Sequence, residues 1–453
     1  MRLSGLVVAL LVVSNTPPHR LASQSPRATS ARTPNVVLIL MDDPGYGDLG
    51  SYGVSDARTP NIDRLAREGV RLTDAYANGP VCTPTRAALI TGRYQQRVGL
   101  EWALGVAPMD RELGLAVTGT SLPALLKTNG YATGLVGKWH LGWKPEFGPL
   151  AHGFDEFYGF LSGAHDYYTT VSDGPSDLYE NATPVEPNGY LTDEITRRGV
   201  SFIARHATGP FFLEVAYNAV HWPFEPPDRL PAPGSVPRPL RMMPDDSVPA
   251  TRQDYVKMLE RADQGVGEIL AALDHLGPTA NTLVIFTNDN GGEWLSRNAP
   301  LYHRKGTLWE GGIRVPLILR WPGVLPAGRS SAQVAITMDL TATILVATAT
   351  VTPPDYRPDG IDLLPMLKAG GSIRERTLVW RIARPGRQQH AVRSGNWKLL
   401  IDGGQLLLFD LAADPGERSD LAARHPDIVT RLRRLAIDWD NDVAPPPGTP
   451  VRN

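Results

Sequence analysis

From residue 34 onward, short unbroken apolar runs alternate with stretches whose apolar positions recur every three or four residues. Asn35–Leu40 (NVVLIL), Tyr131–Val136, Phe211–Tyr217 (FFLEVAY), Leu283–Thr287 (LVIFT) and Pro316–Arg320 (PLILR) read as buried strands. Helical patterns lie between them. One has Thr59 as N-cap, Pro60 at its first position and Gly69 past its end; another begins near Ser121 and Pro123 and stops at Gly130. Leu191–His206 is amphipathic. Gln253–His275 carries Tyr255, Met258, Leu259, Ala262, Val266, Ile269 and Leu273 on one face and ends at Gly277-Pro278. This alternation predicts an α/β fold: a large mixed, mostly parallel sheet sandwiched by helices.

The rhythm changes beyond about residue 372. Leu378–Ile382, Ala391–Ser394, Trp397–Asp402 and Gln405–Leu411 are closely spaced short strands, and a last helix runs from about Pro426 to Trp439. They predict a smaller C-terminal antiparallel sheet plus helix, so residues 34–371 form the main domain and 372–453 an α+β subdomain. Pro223–Pro249 is crowded with prolines and reads as an irregular surface excursion.

At the N-terminus, Arg2 precedes the apolar run Leu6–Val13. That run is far shorter than the roughly 20 residues that span a bilayer. Residues 1–30 therefore read as a secretory signal peptide, which predicts a periplasmic or secreted protein with no membrane span. The 453 residues carry 45 Lys+Arg against 47 Asp+Glu, a formal charge of 45 − 47 = −2. Without a basic excess, nucleic acid is not the expected partner. The single cysteine, Cys82, excludes an internal disulfide framework and a cysteine-based zinc cluster.

The polar chemistry follows the strands. Asn35–Leu40 runs into Asp42-Asp43, Tyr131–Val136 into Lys138 and His140, Phe211–Tyr217 into His221, and Leu283–Thr287 into Asp289-Asn290. Sites in parallel sheets form outside the carboxyl ends of the strands, so these groups predict one shared pocket. Asp42, Asp43, Asp289 and Asn290 are hard oxygen donors. Brought together, they call for a divalent cation, Ca²⁺ or else Mg²⁺. Lys138, His140, His221 and Lys305 near the same edge suit a bound anion. In Cys82-Thr83-Pro84-Thr85-Arg86, Thr83 reads as an N-cap, Pro84 as the first helical residue and Gly92 as the stop. A helix N-terminus beside Arg86 is expected to depress the thiol pKa.

These residues resemble the formylglycine-dependent (type I) sulfatases of the alkaline phosphatase superfamily. The likeness rests on Cys-x-Pro-x-Arg at Cys82–Arg86 with Thr91-Gly92-Arg93, on Gly130–His140, on Asp42-Asp43-x-Gly45-Tyr46-Gly47-Asp48, on Asn288-Asp289-Asn290-Gly291 and on Lys305–Pro316. It covers roughly residues 34 to 440. The resemblance implies that a separate maturation enzyme oxidises Cys82 to formylglycine. One hydroxyl of the hydrated aldehyde then attacks the sulfur of a sulfate ester, and the second expels sulfate from the resulting hemiacetal. It implies Ca²⁺ held by Asp42, Asp43, Asp289, Asn290 and the residue at 82. It also implies that Arg86 holds the nucleophile, that Lys138 and Lys305 clamp sulfate oxygens, that His221 binds sulfate or protonates the leaving oxygen, and that His140 serves as base. Thr85 stands where Ser is commoner and Pro44 where Leu is usual.

Two rival functions keep the same residues: a phosphate or phosphonate ester hydrolase of the superfamily, and a non-catalytic exported anion-binding protein. The expected substrate is a sulfate ester of an aryl alcohol or a carbohydrate. Trp102, Tyr167, Tyr168, Trp222 and Trp294 are candidates for stacking on its rings, and Arg297, His303 and Arg304 for reading an acidic sugar.

Overall fold

The apolar runs form a twisted sheet because strands buried on both faces need no polar alternation. The computed structural model describes residues 1, 33–53, 56–169, 177–229, 250–384 and 386–444. The expected signal segment and most of the proline-rich excursion lie outside the described residues. In chain order the strands are β1 (Asn35–Met41), β2 (Val70–Leu72), β3 (Ala75–Tyr76), β4 (Ala132–Lys138), β5 (Glu156–Phe160), β6 (Leu178–Glu180), β7 (Thr183–Pro184), β8 (Phe211–Ala216), β9 (Thr282–Asn288), β10 (Leu317–Arg320), β11 (Arg329–Ser331) and β12 (Ala335–Ile336). Then follow β13 (Thr377–Arg384), β14 (Arg387–Ser394), β15 (Trp397–Asp402) and β16 (Gln405–Asp410).

The central sheet has the order β11-β2-β10-β9-β1-β8-β4-β5-β6-β7. Its middle, from β9 to β5, is parallel throughout. β10 runs antiparallel to β9, a direction the PLILR run does not encode. The alternation of side chains along β1 divides the core in two. Val36, Leu38 and Leu40 pack on one face with Ala87, Leu89, Ile90 and Ile344. Val37, Ile39 and Met41 pack on the other with Ile62, Ile195, Met258, Leu259 and Val266. The second set comes from helices α1 (Pro60–Glu68), Leu191–His206 and Arg252–Leu276. The long helix opens on a capping box in which Thr251 accepts from the Asp254 amide.

β13 to β16 form an antiparallel meander. Its Trp380, Ala391, Leu400 and Phe409 share a core with Tyr76 and Ile336 of the separate two-stranded β3-β12 sheet and with Ala88 of the helix Cys82–Thr91. Helix Pro426–Asp442 covers the other side through Val429, Leu432 and Ala436. From Thr33 on, the chain is one compact unit. Among the described residues, no helix is long and apolar enough to cross a membrane.

Candidate active site

Four adjacent strands, in the order β9-β1-β8-β4, deliver their carboxyl ends to one edge. Leu40 of β1 lies level with Ala216 of β8 and Thr287 of β9, and Gly137 of β4 lies level with Ala216. Asp42-Asp43, Lys138, the residues before His221, and Asp289-Asn290 therefore leave the sheet side by side. Gly137 makes this possible: its φ is +111°, and a Cβ there would lie 1.9 Å from the Ala216 carbonyl oxygen. Asp43 takes φ +68° and turns back over the strand ends.

Cys82 is the first residue of α2 (Cys82–Thr91), whose N-cap is Val81. The expected cap, Thr83, is inside the helix. Its hydroxyl donates to the His140 carbonyl at 3.0 Å and accepts from the Leu104 amide at 3.2 Å. The helix thus begins two residues earlier than expected, which makes residue 82 its first residue. Gly92 ends α2 in the left-handed region, as expected. Thr85 accepts from the Gly79 amide at 3.0 Å and donates to its carbonyl at 3.2 Å, bonds a Ser hydroxyl could also make.

The Cys82 Sγ is 3.4 Å from Asp42 Oδ1. Burial, reinforced by Asp289 and Asp42, pushes the thiol pKa up, opposite to the depression expected at a helix N-terminus. The helix end contributes only a partial charge, and enclosure among carboxylates overrides it. The residue is thus a poor thiolate nucleophile as it stands.

The cations are equally buried. Lys138 Nζ is 2.5 Å from Asp42 Oδ2, and Lys305 Nζ is 2.6 Å from Asp43 Oδ1. Burial works against both carboxylates, but these lysines outweigh it and hold Asp42 and Asp43 below the usual range. Arg86 donates through Nε and Nη2 to the same oxygen, Asp289 Oδ2, at 3.0 and 2.8 Å, and through Nη1 to the Lys138 carbonyl at 2.9 Å. His140 has φ +58°, and its Nε2 faces the Leu104 carbonyl at 2.8 Å. His221 Nδ1 faces the Trp222 carbonyl at 2.7 Å, leaving Nε2 3.7 Å from Asp43 Oδ2. Burial lowers both imidazole pKa values, His140 well below the usual range.

The donor set fits a hard divalent ion. One ligand atom from each of Asp42, Asp43, Cys82 and Asp289 falls within 4.8 Å of the others. Asn290 Nδ2 donates to Asp43 Oδ1 at 2.7 Å. Asp289 Oδ1 and Asn290 Oδ1 are buried with no hydrogen-bond partner. Burial and the neighbouring Asp42 push the Asp289 carboxyl up, the mark of an anion with too little positive charge nearby. Oxygen ligands with free lone pairs are what Ca²⁺ or Mg²⁺ requires.

Sequence reasoning missed some neighbours. Glu293 Oε2 lies 3.8 Å from Lys305 Nζ, and the Leu104 carbonyl orients His140. Glu214, central in β8, is raised to about 7 by burial and has an unpartnered Oε2; a lone acid inside FFLEVAY was its visible signal. Among the aromatic candidates, Tyr167 is fully buried and bonds the Asn218 and His221 carbonyls, so it supports the His221 turn. Trp222 and Trp294 sit 6.3 Å apart beside His221. Tyr168 bonds the Pro226 carbonyl. Arg297 pairs with Asp56, away from the carboxylate cluster.

The chain matches the Sulfatase family model over residues 34–350. It is 36% identical to N-acetylgalactosamine-6-sulfatase of Canis lupus familiaris, over 90% of this chain and 85% of that protein. It is 34% identical to arylsulfatase A of Bos taurus, over 86% and 84%. The crystal structure of Ps i-CgsB in complex with k-i-k-neocarrahexaose superposes with a TM-score of 0.80 at 30% identity, covering 90% of this chain and 93% of that one. With its alkaline phosphatase-like sheet and this edge of carboxylates and cations, the chain belongs to the sulfatase family and is a sulfuric ester hydrolase.

Proposed function

We propose that this protein hydrolyses sulfate esters of carbohydrates outside the cytoplasm, using formylglycine made from Cys82 by a separate maturation enzyme and Ca²⁺ (or Mg²⁺) held by Asp42, Asp43, Asp289, Asn290 and residue 82. The observation that carries this reading is the position of Cys82 Sγ. It lies 3.4 Å from Asp42 Oδ1, at the centre of the buried donors, yet burial makes it a weak thiolate. Such a residue is well placed to react and poorly suited to do so unmodified. Hydrated formylglycine supplies one hydroxyl to attack sulfur and a second whose deprotonation lets sulfate leave. The bound ion supplies Lewis acidity toward a sulfate oxygen and favours the ionised hydroxyl.

The other roles belong to this chain's own side chains. Arg86, locked between Asp289 and the Lys138 carbonyl, keeps a fixed positive charge one turn along the helix from residue 82. Lys138 and Lys305 bring ammonium groups to the same centre and offer donors to sulfate oxygens. Four carboxylates (Asp42, Asp43, Asp289 and Glu293) face three cations (Arg86, Lys138, Lys305), so a divalent ion would turn the pocket net positive, as an anionic substrate requires. His140 faces a carbonyl through Nε2, so Nε2 carries the hydrogen. Its Nδ1, buried and unpartnered, is then the acceptor that takes a proton from the residue-82 hydroxyl. His221 donates Nδ1–H to Trp222, so its Nε2 carries a proton only in the imidazolium form, which the facing Asp42 and Asp43 favour against burial; that form would pass the Nε2 proton to the leaving oxygen and return to the neutral ring.

A carbohydrate substrate is supported by the similarity to N-acetylgalactosamine-6-sulfatase and to a structure bound to k-i-k-neocarrahexaose. The test is sulfate release from a panel of sulfated mono- and oligosaccharides, run beside a chromogenic aryl sulfate and the matched aryl phosphate esters. The reading predicts that sulfate esters lead by orders of magnitude in kcat/KM. A phosphate diester leading by that margin would replace it with the phosphoesterase alternative.

A further inference from the structure

The β13–β14 hairpin ends in two arginines opposite each other. Arg384 and Arg387 are direct cross-strand partners, so their side chains leave the same face. Like charges in that position repel. Arg384 lies over the Trp102 ring, with its guanidinium carbon 4.2 Å from the ring centroid. Arg387 is exposed, and its guanidinium has no ion-pair or hydrogen-bond partner among the described residues.

The tip stands between two loops that both reach the reaction site. On one side, Trp102 is two residues from Leu104, whose amide donates to Thr83 and whose carbonyl faces His140. β13 is fastened to this loop by Arg381, which pairs with Glu101 at 2.6 Å. On the other side, His303 and Arg304 directly precede Lys305. That loop is fastened to the hairpin sheet where the Leu308 amide donates to Gln389 Oε1 at 2.9 Å, and to the Cys82 approach where the Gly306 amide donates to the Pro80 carbonyl at 2.8 Å. His303 and Trp309 stack with centroids 6.4 Å apart. Arg387, Arg304 and Asp402 are the charged neighbours His303 feels; burial first, then the two arginines, depress its imidazole against the opposing Asp402.

We propose that Arg384 and Arg387, with Trp102 and His303 beside them, form a second anion subsite at the mouth of the pocket. The preferred substrate is then a sulfated oligosaccharide whose neighbouring sugar carries its own negative group, a carboxylate or a second sulfate. This rests on the sulfatase reading above and narrows its substrate. Planar guanidinium forks suit a carboxylate or sulfate carried by a sugar, and the Trp102 ring holds the Arg384 fork in place.

The experiment uses the mature full-length enzyme and one sulfated disaccharide in three forms. In these the neighbouring sugar is neutral, carries a carboxylate, or carries a second sulfate; an aryl sulfate serves as reference. We expect kcat/KM for an anionic form to exceed the neutral form about tenfold. Raising salt to about 0.5 M should shrink that ratio. Arg387→Gln should bring the ratio toward one, and Arg387→Lys should recover part of it. Preference for the carboxylate alone or for the second sulfate alone identifies which anion is read, and both outcomes support the subsite. Equal turnover of neutral and anionic forms, or a preference unchanged in Arg387→Gln, would overturn it while aryl sulfate hydrolysis left the sulfatase reading intact. Failure to hydrolyse any sulfate ester would instead remove the reading beneath it.

Discussion

Two clusters of buried charge lie in this molecule, built from the same residue types to different ends. Around Glu310, each charge meets its opposite. Lys398 Nζ lies 2.8 Å from Glu310 Oε1 and 2.8 Å from Glu417 Oε1. Glu310 Oε2 accepts from the Tyr76 hydroxyl at 2.8 Å and from Arg314 at 3.2 Å, and Asp74 takes Arg314 and Arg393 at 3.1 and 2.6 Å. Around Cys82 the ion pairs are as short, yet Asp289 Oδ1, Asn290 Oδ1 and His140 Nδ1 stay unpartnered. Both guanidinium donors that reach Asp289 fall on its other oxygen. Charge composition alone does not separate the clusters, and each holds a carboxylate oxygen without a hydrogen bond, Glu417 Oε1 in one and Asp289 Oδ1 in the other; the Cys82 cluster adds an unpartnered amide oxygen and an unpartnered imidazole nitrogen. A cluster that closes on itself fastens the C-terminal sheet to the loop after Lys305. A cluster that leaves an amide oxygen and an imidazole nitrogen unpartnered is what the proposed ion and anion would need.

The largest break in this comparison comes from Cys82→Ala. No maturation enzyme can convert alanine, so kcat/KM for an aryl sulfate should fall at least about 10³-fold. The circular dichroism spectrum should be retained, since the substitution removes one buried atom and no ion pair. Chelation comes next. Removing a divalent ion from the oxygen donors should lower activity about 10²-fold or more, and Ca²⁺ should restore it. The thermal midpoint should fall in parallel, because an ion bound only to the folded state stabilises it. The Glu310 cluster should respond in the opposite way. Lys398→Met removes the cation that two buried carboxyls share, leaving Glu310 with Arg314 and Tyr76 and Glu417 with no cation among the described residues, and should cost about 3 kcal/mol in urea unfolding. The protein that remains folded should keep most of its kcat/KM.

The smallest effect is a pH slope in stability. Burial pushes Glu417 up to about 7 from its ordinary 4.5. Between those values the folded protein holds a proton that the unfolded chain has released, so this contribution is complete below 4.5 and lost as pH rises through about 7. Burial works against the Glu310 carboxylate too, but Lys398 and Arg314 outweigh it and hold the group at about 2. Its contribution is present above the ordinary 4.5 and lost as pH falls toward about 2. The two carboxyls share Lys398 and titrate as a pair. The urea midpoint of the wild type measured relative to Glu417→Gln should therefore fall as pH rises from about 4.5 through about 7.

Much of the sheet was legible because its inner strands are apolar throughout and too short to be helices. Leu191–His206 and Trp397–Asp402 fall where their patterns put them. Strands β5 and β2 were not legible: EFYGF mixes acid, aromatic and glycine, and VRL is too short for a period to show. Nor could the chain order reveal that β10 is antiparallel. The convergence of Asp42, Asp43, Lys138, His221, Asp289 and Asn290 was readable because the β9, β1, β8 and β4 ends are neighbours in a parallel stack. The thiol pKa was misjudged because helix position is written in the sequence and depth of burial is not. The arginine pair at 384 and 387 was invisible for a related reason: a hairpin register makes them partners, and no spacing rule distinguishes that register from its neighbours.

The central claim is that residue 82 acts as a converted nucleophile inside this cage. The most direct measurement is the mass of the peptide containing position 82, taken from active protein after thiol alkylation, together with turnover per molecule. Replacing sulfur by oxygen and removing two hydrogens lowers the mass by about 18 Da. The account predicts that lighter, non-alkylated peptide, with turnover rising in proportion to the converted fraction. Full turnover from protein whose residue 82 is wholly an alkylatable thiol would contradict it.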